Sequence, residues 1–194
     1  MEGSIFIAGA GVQWLRDRMK FFKKAPETEK IVKSLDNNND IYLVPAFTGL
    51  GAPYWDANAR GVLSGITRDT SPKEIVRATI EAVAYQTFDL FEAMKHDGLR
   101  PKIVKVDGGM VMNNWFSQFL SDIVNVKVLR PKVQETTALG AAFMAGLQIG
   151  VYKSLKDISK NWHLDKKFSP KMKNKSRSTL IKGWEKAVKR ALIN

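Results

Sequence analysis

Apolar and small positions recur with helical spacing across residues 72–95, where Ile75, Ala78, Thr79, Ala82, Val83, Phe91 and Met94 fall mostly on one face. The start of this helix is sharply marked. Ser71 supplies a cap, Pro72 suits the first helical position, and Glu74 completes a capping box. Gly98 stops it. At 1.5 Å per residue the predicted helix is roughly 33 Å long, enough to cross a domain.

Short apolar runs at 5–8, 41–47, 60–66, 102–106 and 126–129 predict strands. Pro45 limits the second to an edge or an end, and Pro131 closes the last. A strand at 5–8, with no turn or partner before it, reads as a chain cut into an existing fold. Helices are predicted at 12–19, 113–124 and 137–150. Residues 23–40 read as a polar loop, and 48–59 as a loop of Gly, Pro and aromatic residues. Beyond residue 100 the order strand–helix–strand–helix predicts a parallel sheet with helices against it. The stretch 151–194 is polar and ends in a helix, with Leu180, Trp184, Val188 and Leu192 on one face and lysines on the other. The expected organisation is an α/β domain over 1–150, with a basic extension over 151–194 whose terminal helix packs on that domain.

Length and composition fit one globular domain with a small appendage: 194 residues, 44% hydrophobic and 26% charged. The net charge of +12 changes the picture only through its location. Residues 151–194 hold 13 basic and 3 acidic side chains, against 18 and 16 in the rest. Such a segment suits nucleic acid or an anionic membrane, but an amphipathic C-terminal helix with a solvated basic face explains it as well and is preferred. The chain has no cysteine and two histidines, His96 and His163, which excludes disulfides, thiolate chemistry and a histidine-rich metal site. No apolar run approaches about 18 residues, and Met1–Ser4 has no signal-peptide character, so a cytoplasmic location is expected.

The sharpest candidate for chemistry is Val106-Asp-Gly-Gly-Met-Val-Met-Asn-Asn114, where two glycines stand between a strand and a helix. Ligands of open α/β sheets bind at the carboxyl ends of strands. Gly108 and Gly109 let a flat group approach the backbone, while Asn113 and Asn114 can cap the helix or meet a ligand. A tight turn with a helix cap explains the same residues, and both readings stand. Gly9-Ala-Gly11 begins like a dinucleotide fingerprint, but Trp14 stands where the third glycine belongs, so that reading fails. No P-loop motif occurs. The small residues Ala138, Ala141, Ala142, Ala145 and Gly146 predict close packing of their helix on a sheet. Asp56 and Arg60 read as a charge pair stiffening their loop, and both histidines as surface residues. No Ser/His/Asp arrangement is present.

Taken together, several segments resemble the C-terminal half of the FGGY carbohydrate kinases, and within that family its glycerol kinases. They are residues 2–17, 44–56 with Arg60-Gly61, 77–87, 106–109 with Asn113-Asn114, and 135–142. Gly61, Leu63, Gly65, Ile66, Glu74, Ile75, Ala78, Thr79, Ile80 and Glu81 also follow the family's second signature in order, and Gly183–Arg190 looks like its C-terminus. The stretch Phe-Thr-Gly-Leu-Gly-Ala-Pro-Tyr-Trp-Asp56 favours glycerol over the xylulose and gluconate branches. The resemblance implies an actin-like, RNase H-like ATPase domain lacking its first strands, one of two that enclose ATP. It places Gly9 and Gln13 among the nucleotide contacts, and Gly109 and Asn113 at the adenosine. ATP and Mg²⁺ are the implied cofactors, and glycerol reaches the enzyme through the N-terminal half. A homo-oligomer is implied for the full-length protein, with neither membrane nor nucleic acid as partner. The family's catalytic aspartate and glycerol-binding residues fall upstream of Met1, so no catalytic or metal-binding residue is expected in this chain.

Overall fold

The computed structural model describes residues 5–192; residues 1–4, which open the first resemblance segment, and 193–194, which end the basic extension, lie outside the described residues. At the centre is α3 (Pro72–His96), begun by the predicted capping box: Ser71 Oγ accepts from the Lys73 N–H at 3.2 Å, and Glu74 Oε2 accepts from the Ser71 N–H at 3.0 Å. The first half of α3 is buried around nearly its whole circumference, Arg77, Glu81 and Tyr85 included, rather than along one face. Four elements account for this by packing against it: α1 (Gly9–Asp17), α2 (Glu27–Lys33), β1 (Tyr42–Val44) and α4 (Asn114–Val124). Burying charge there is tolerable because Arg77 pairs with Glu81 at 2.7 Å and donates to the Leu35 carbonyl at 2.6 Å.

β1 pairs antiparallel with β2 (Val62–Ser64), Leu43 opposite Leu63. The main sheet is mixed rather than purely parallel. In it β3 (Ile103–Lys105) runs parallel to β4 (Lys127–Pro131), connected through α4, and β5 (Leu164–Phe168) runs antiparallel on β4's other side. β5 comes from the basic segment, where no strand is predicted. Its sequence Leu-Asp-Lys-Lys-Phe is polar because it forms an edge whose buried position is Phe168, opposite Val128.

α7 (Asn174–Ala191) follows the predicted terminal helix, with Trp184, Ala187, Val188 and Ala191 buried. Trp184 stacks on Tyr85 with ring centroids 5.4 Å apart, and Phe119 meets Tyr85 edge-on at 5.6 Å. The lysines therefore decorate a segment that is part of the core.

Four local expectations fail. Residues 5–8 form no strand; they run irregularly into α1, with Ile7 buried and its carbonyl accepting from Gln86 Nε2 at 3.3 Å. The predicted loop 23–40 contains α2. The small face of α5 (Thr136–Gln148) is largely uncovered among the described residues: Ala138, Ala141, Ala142 and Ala145 are exposed, and only Gly146 is buried, under the Tyr152 ring. Asp56 and Arg60 do not pair with each other either. Asp56 Oδ1 accepts from the Asn58 and Ala59 N–H groups, while Arg60 donates to the Ala57 and Ala59 carbonyls.

Candidate nucleotide site

Beyond β3 the chain turns at Gly108, whose φ of +82° is natural only to glycine. The Gly108 N–H donates to the Gln134 carbonyl at 3.1 Å, and the Thr136 hydroxyl donates to the Asp107 carboxylate. A short 3₁₀ turn, Gly109–Met112, then delivers Asn113 in extended conformation as the cap of α4. Asn113 Oδ1 accepts from the Phe116 N–H at 3.0 Å, and its Nδ2 donates to Thr28 Oγ1 at 3.4 Å. One hydrogen of that amide remains for a ligand. The Oδ1 of Asn114, by contrast, accepts from Arg130 and Lys166.

Gly9, Gln13, Gly109 and Asn113, 104 residues apart at the extremes, line one cavity of about 330 Å³. α1 contributes Gly9, Gln13 and Arg16, the 3₁₀ turn contributes Met110 and Met112, and Thr28 and Glu29 come from α2. A Cβ built on Gly9 or Gly109 would meet nothing within 4 Å, whereas one on Gly11 would press on Thr79 at 3.0 Å. The first two glycines thus keep space open, and the third allows helices to approach. Burial pushes the Glu29 carboxyl up, but the Lys33 ammonium at 2.6 Å and the Asn114 amide outweigh it, so it rests below the usual carboxylate range. Arg16 is held by Asp17, with contacts of 2.6 and 2.8 Å.

Two backbone-lined openings, methionine side chains and side-chain amides suit a flat heteroaromatic group with a polar edge. The volume is at the low end for ligand sites, the scale of a nucleoside rather than a whole triphosphate. Thr28 and Glu29 carry no local signal in the sequence, because α2 is concealed in a charged stretch, and Arg16 is one of several charges on the predicted first helix. A larger cavity, about 1090 Å³, lies between residues 36–40, 67–70, α4 and α7 and contains none of the four predicted residues. Among the described residues no group of three or more acidic or imidazole side chains is placed to hold a metal ion.

Residues 1–149 match the family model described as the FGGY family of carbohydrate kinases, C-terminal domain. This chain belongs to the FGGY carbohydrate kinases. Among its relatives, Glycerol kinase 1 of Pseudomonas aeruginosa is 56% identical over 190 residues, which is 98% of this chain and 38% of the relative. The glycerol kinase of Thermoanaerobacter pseudethanolicus is 52% identical over 193 residues, 99% and 39% of the two chains. The structure of Plasmodium falciparum glycerol kinase with ADP superposes with a TM-score of 0.87 at 38% identity, over 99% of this chain and 38% of that one. Xylulose kinase from Lactobacillus acidophilus follows at 0.78 and 25%, over 96% and 38%. The FGGY chain thus spans well under half the length of these relatives, as their C-terminal half, and has the α/β, actin-like ATPase fold. The family model ends before β5 and α7, although the similarity to the glycerol kinases runs on through them.

Proposed function

We propose that this chain is the nucleotide-side half of an ATP-dependent glycerol kinase, with Gly9, Gln13, Gly109 and Asn113 holding the adenosine. The observation that carries the reading is the convergence of these four residues on one cavity, two of them glycines whose missing side chains leave it open. The ADP named with the Plasmodium relative agrees with it. Glycerol is preferred over other acceptors because the relatives at 52–56% identity are glycerol kinases, while a xylulose kinase stands at 25%.

The reaction transfers the γ-phosphoryl group of ATP to a terminal hydroxyl of glycerol. Such transfer rests on positioning and on electrostatic stabilisation of the phosphates. Mg²⁺ neutralises phosphate charge in this chemistry. The residues described here bind and orient the base and sugar. The proton acceptor for the glycerol hydroxyl and the phosphate-binding loops belong to the rest of the protein.

ADP titration by calorimetry tests the site. Gly109→Val and Gly9→Val each place a branched side chain in empty space, so both should fold normally and lose at least tenfold in affinity. Unchanged affinity in both variants refutes the site. In the full-length protein, preference for xylulose or gluconate over glycerol refutes the substrate.

A further inference from the structure

Behind the 3₁₀ turn lies a buried arginine that no part of the proposed reaction uses. Arg130, on β4, has a side chain 7% exposed. Its guanidinium donates to the Val111 carbonyl at 2.7 Å, more weakly to the Met112 carbonyl at 3.4 Å, and to Asn114 Oδ1 at 3.3 Å. Three acceptors of the Gly109–Asn114 segment thus converge on one rigid fork of donors. The same guanidinium lies 5.6 Å from the centre of the Phe168 ring, and its Nε–Asp165 Oδ2 contact is 2.7 Å.

Asp165 and Phe168 both lie on β5, outside the segment matched by the family model. β5 is built to bring Asp165 there. Opposite β4 the register runs Leu129–Lys167 and Arg130–Lys166, then slips so that Pro131 faces Leu164. Asp165 is the extra residue at that slip, and such irregularities re-aim side chains and recur beside functional sites. Asp165 is also the only carboxylate paired with Arg130 among the described residues. A guanidinium this buried needs a counter-charge, the more so because Lys166 shares Asn114 Oδ1 with it.

We propose that Arg130 is a positioning residue for the nucleotide turn and that Asp165, on the edge strand beyond residue 149, holds it in register. The C-terminal segment then sets nucleotide affinity without touching the nucleotide. Neutralising Asp165 leaves a poorly compensated buried cation. It relaxes toward solvent and releases the Val111 and Met112 carbonyls, and with them Gly109 and the amide of Asn113.

This inference rests on the nucleotide reading above, and two readouts separate them. One is amide hydrogen exchange of the Asn113 N–H, which donates to the Met110 carbonyl at 3.2 Å and needs no ligand. The other is ADP affinity by calorimetry on the full-length protein. Asp165→Asn is expected to speed exchange at Asn113 and to weaken ADP about tenfold. Its melting temperature should fall, because one partner of a buried ion pair is lost, so both readouts are taken well below the unfolding transition, where the protein stays folded. Asp165→Glu should restore both readouts. Arg130→Lys, which cannot fork to several acceptors, should weaken ADP with Asp165 intact. Asp157→Asn makes the same charge change on α6 (Leu155–Ser159), where the carboxylate meets Ser154 and Lys160 rather than Arg130, and should leave affinity unchanged. If Asp165→Asn leaves either readout at the wild-type value, or if Asp157→Asn weakens ADP equally, the proposal falls. If Gly9→Val and Gly109→Val leave ADP affinity of the full-length protein unchanged but Asp165→Asn still loosens Asn113, the nucleotide reading falls, and with it the proposed effect on affinity, while the grip on the turn stands.

Discussion

The indole N–H of Trp184 donates to Asp89 Oδ2 at 2.7 Å, tying α7 to the middle of α3 across 95 positions of sequence. The Tyr54 hydroxyl donates to the same oxygen at 2.9 Å, which docks the 48–59 loop on both helices. Burial pushes the Asp89 carboxyl up to about 6 in spite of these two donors, with the nearby Glu185 charge adding to the rise. Its ordinary value is 3.8, so between the two values the folded protein binds a proton that the unfolded chain has released. The associated stability is complete below about pH 4 and is lost as pH rises through 6, amounting to about 3 kcal/mol at most. Asp89→Asn keeps an acceptor oxygen and removes the charge. Its melting temperature should vary less with pH between 4 and 6.5 than that of the wild type. Parallel curves would assign the pH dependence elsewhere.

Trp184 is fully buried against Tyr85 and supplies one of Asp89's donors. Trp184→Ala should cost about 3–5 kcal/mol of unfolding free energy, measured by urea denaturation. Trp184→Phe keeps most of the ring area and should cost about 1–3 kcal/mol for the lost donor. A loss under 1 kcal/mol in Trp184→Ala would mean that the extension is not part of the cooperative unit.

Gly9 and Gly11, two positions apart on α1, should respond oppositely to added volume. Gly9→Val projects into the cavity and should leave thermal stability nearly unchanged while removing ADP binding. Gly11→Val must displace Thr79 on the central helix and should lower the melting temperature by several degrees, since overpacking costs about 1–3 kcal/mol. Equal melting temperatures would contradict the packing at Gly11.

Met144, Ile149, Val151 and Leu155 are exposed on and after α5, and Ile103 is exposed on β3, whose outer edge has no partner among the described residues. Exposed apolar surface beside an open edge promotes association. The 194-residue chain should therefore elute as dimers or larger species in sizing chromatography and bind a hydrophobic dye. Met144→Lys with Ile149→Lys should shift it toward monomer. A monomeric, dye-silent wild type would count against this.

Glycerol phosphorylation by this chain alone should be at background in a coupled glycerol-3-phosphate assay. Holding the adenosine equally in ground and transition states does not lower the chemical barrier. Turnover appearing only when the N-terminal half is supplied is the expected result. Turnover without it would mean that residues described here carry the chemistry.

The boundaries of α3, the Gly108 turn, the Asn113 cap and the α7 face are legible in the sequence because each depends on residues within about one helical turn of one another. Gly9, Gln13, Gly109 and Asn113 follow from motif resemblance, and their meeting in one cavity is a matter of tertiary structure. Residues 164–168 read as solvated chain because an edge strand needs only one buried side chain, and whether β4 is available to pair with it is not a local property. The alanine face of α5 reads as packed because small residues allow close approach without requiring it; whether something lies against it depends on the rest of the chain. The all-round burial of α3 likewise depends on four elements distant in sequence. The Arg130–Asp165 pair, 35 residues apart, exists only once β5 has paired and slipped. Short-range order was determined by neighbouring side chains and backbone geometry, whereas the site's support came from contacts that a linear chain does not possess until it folds.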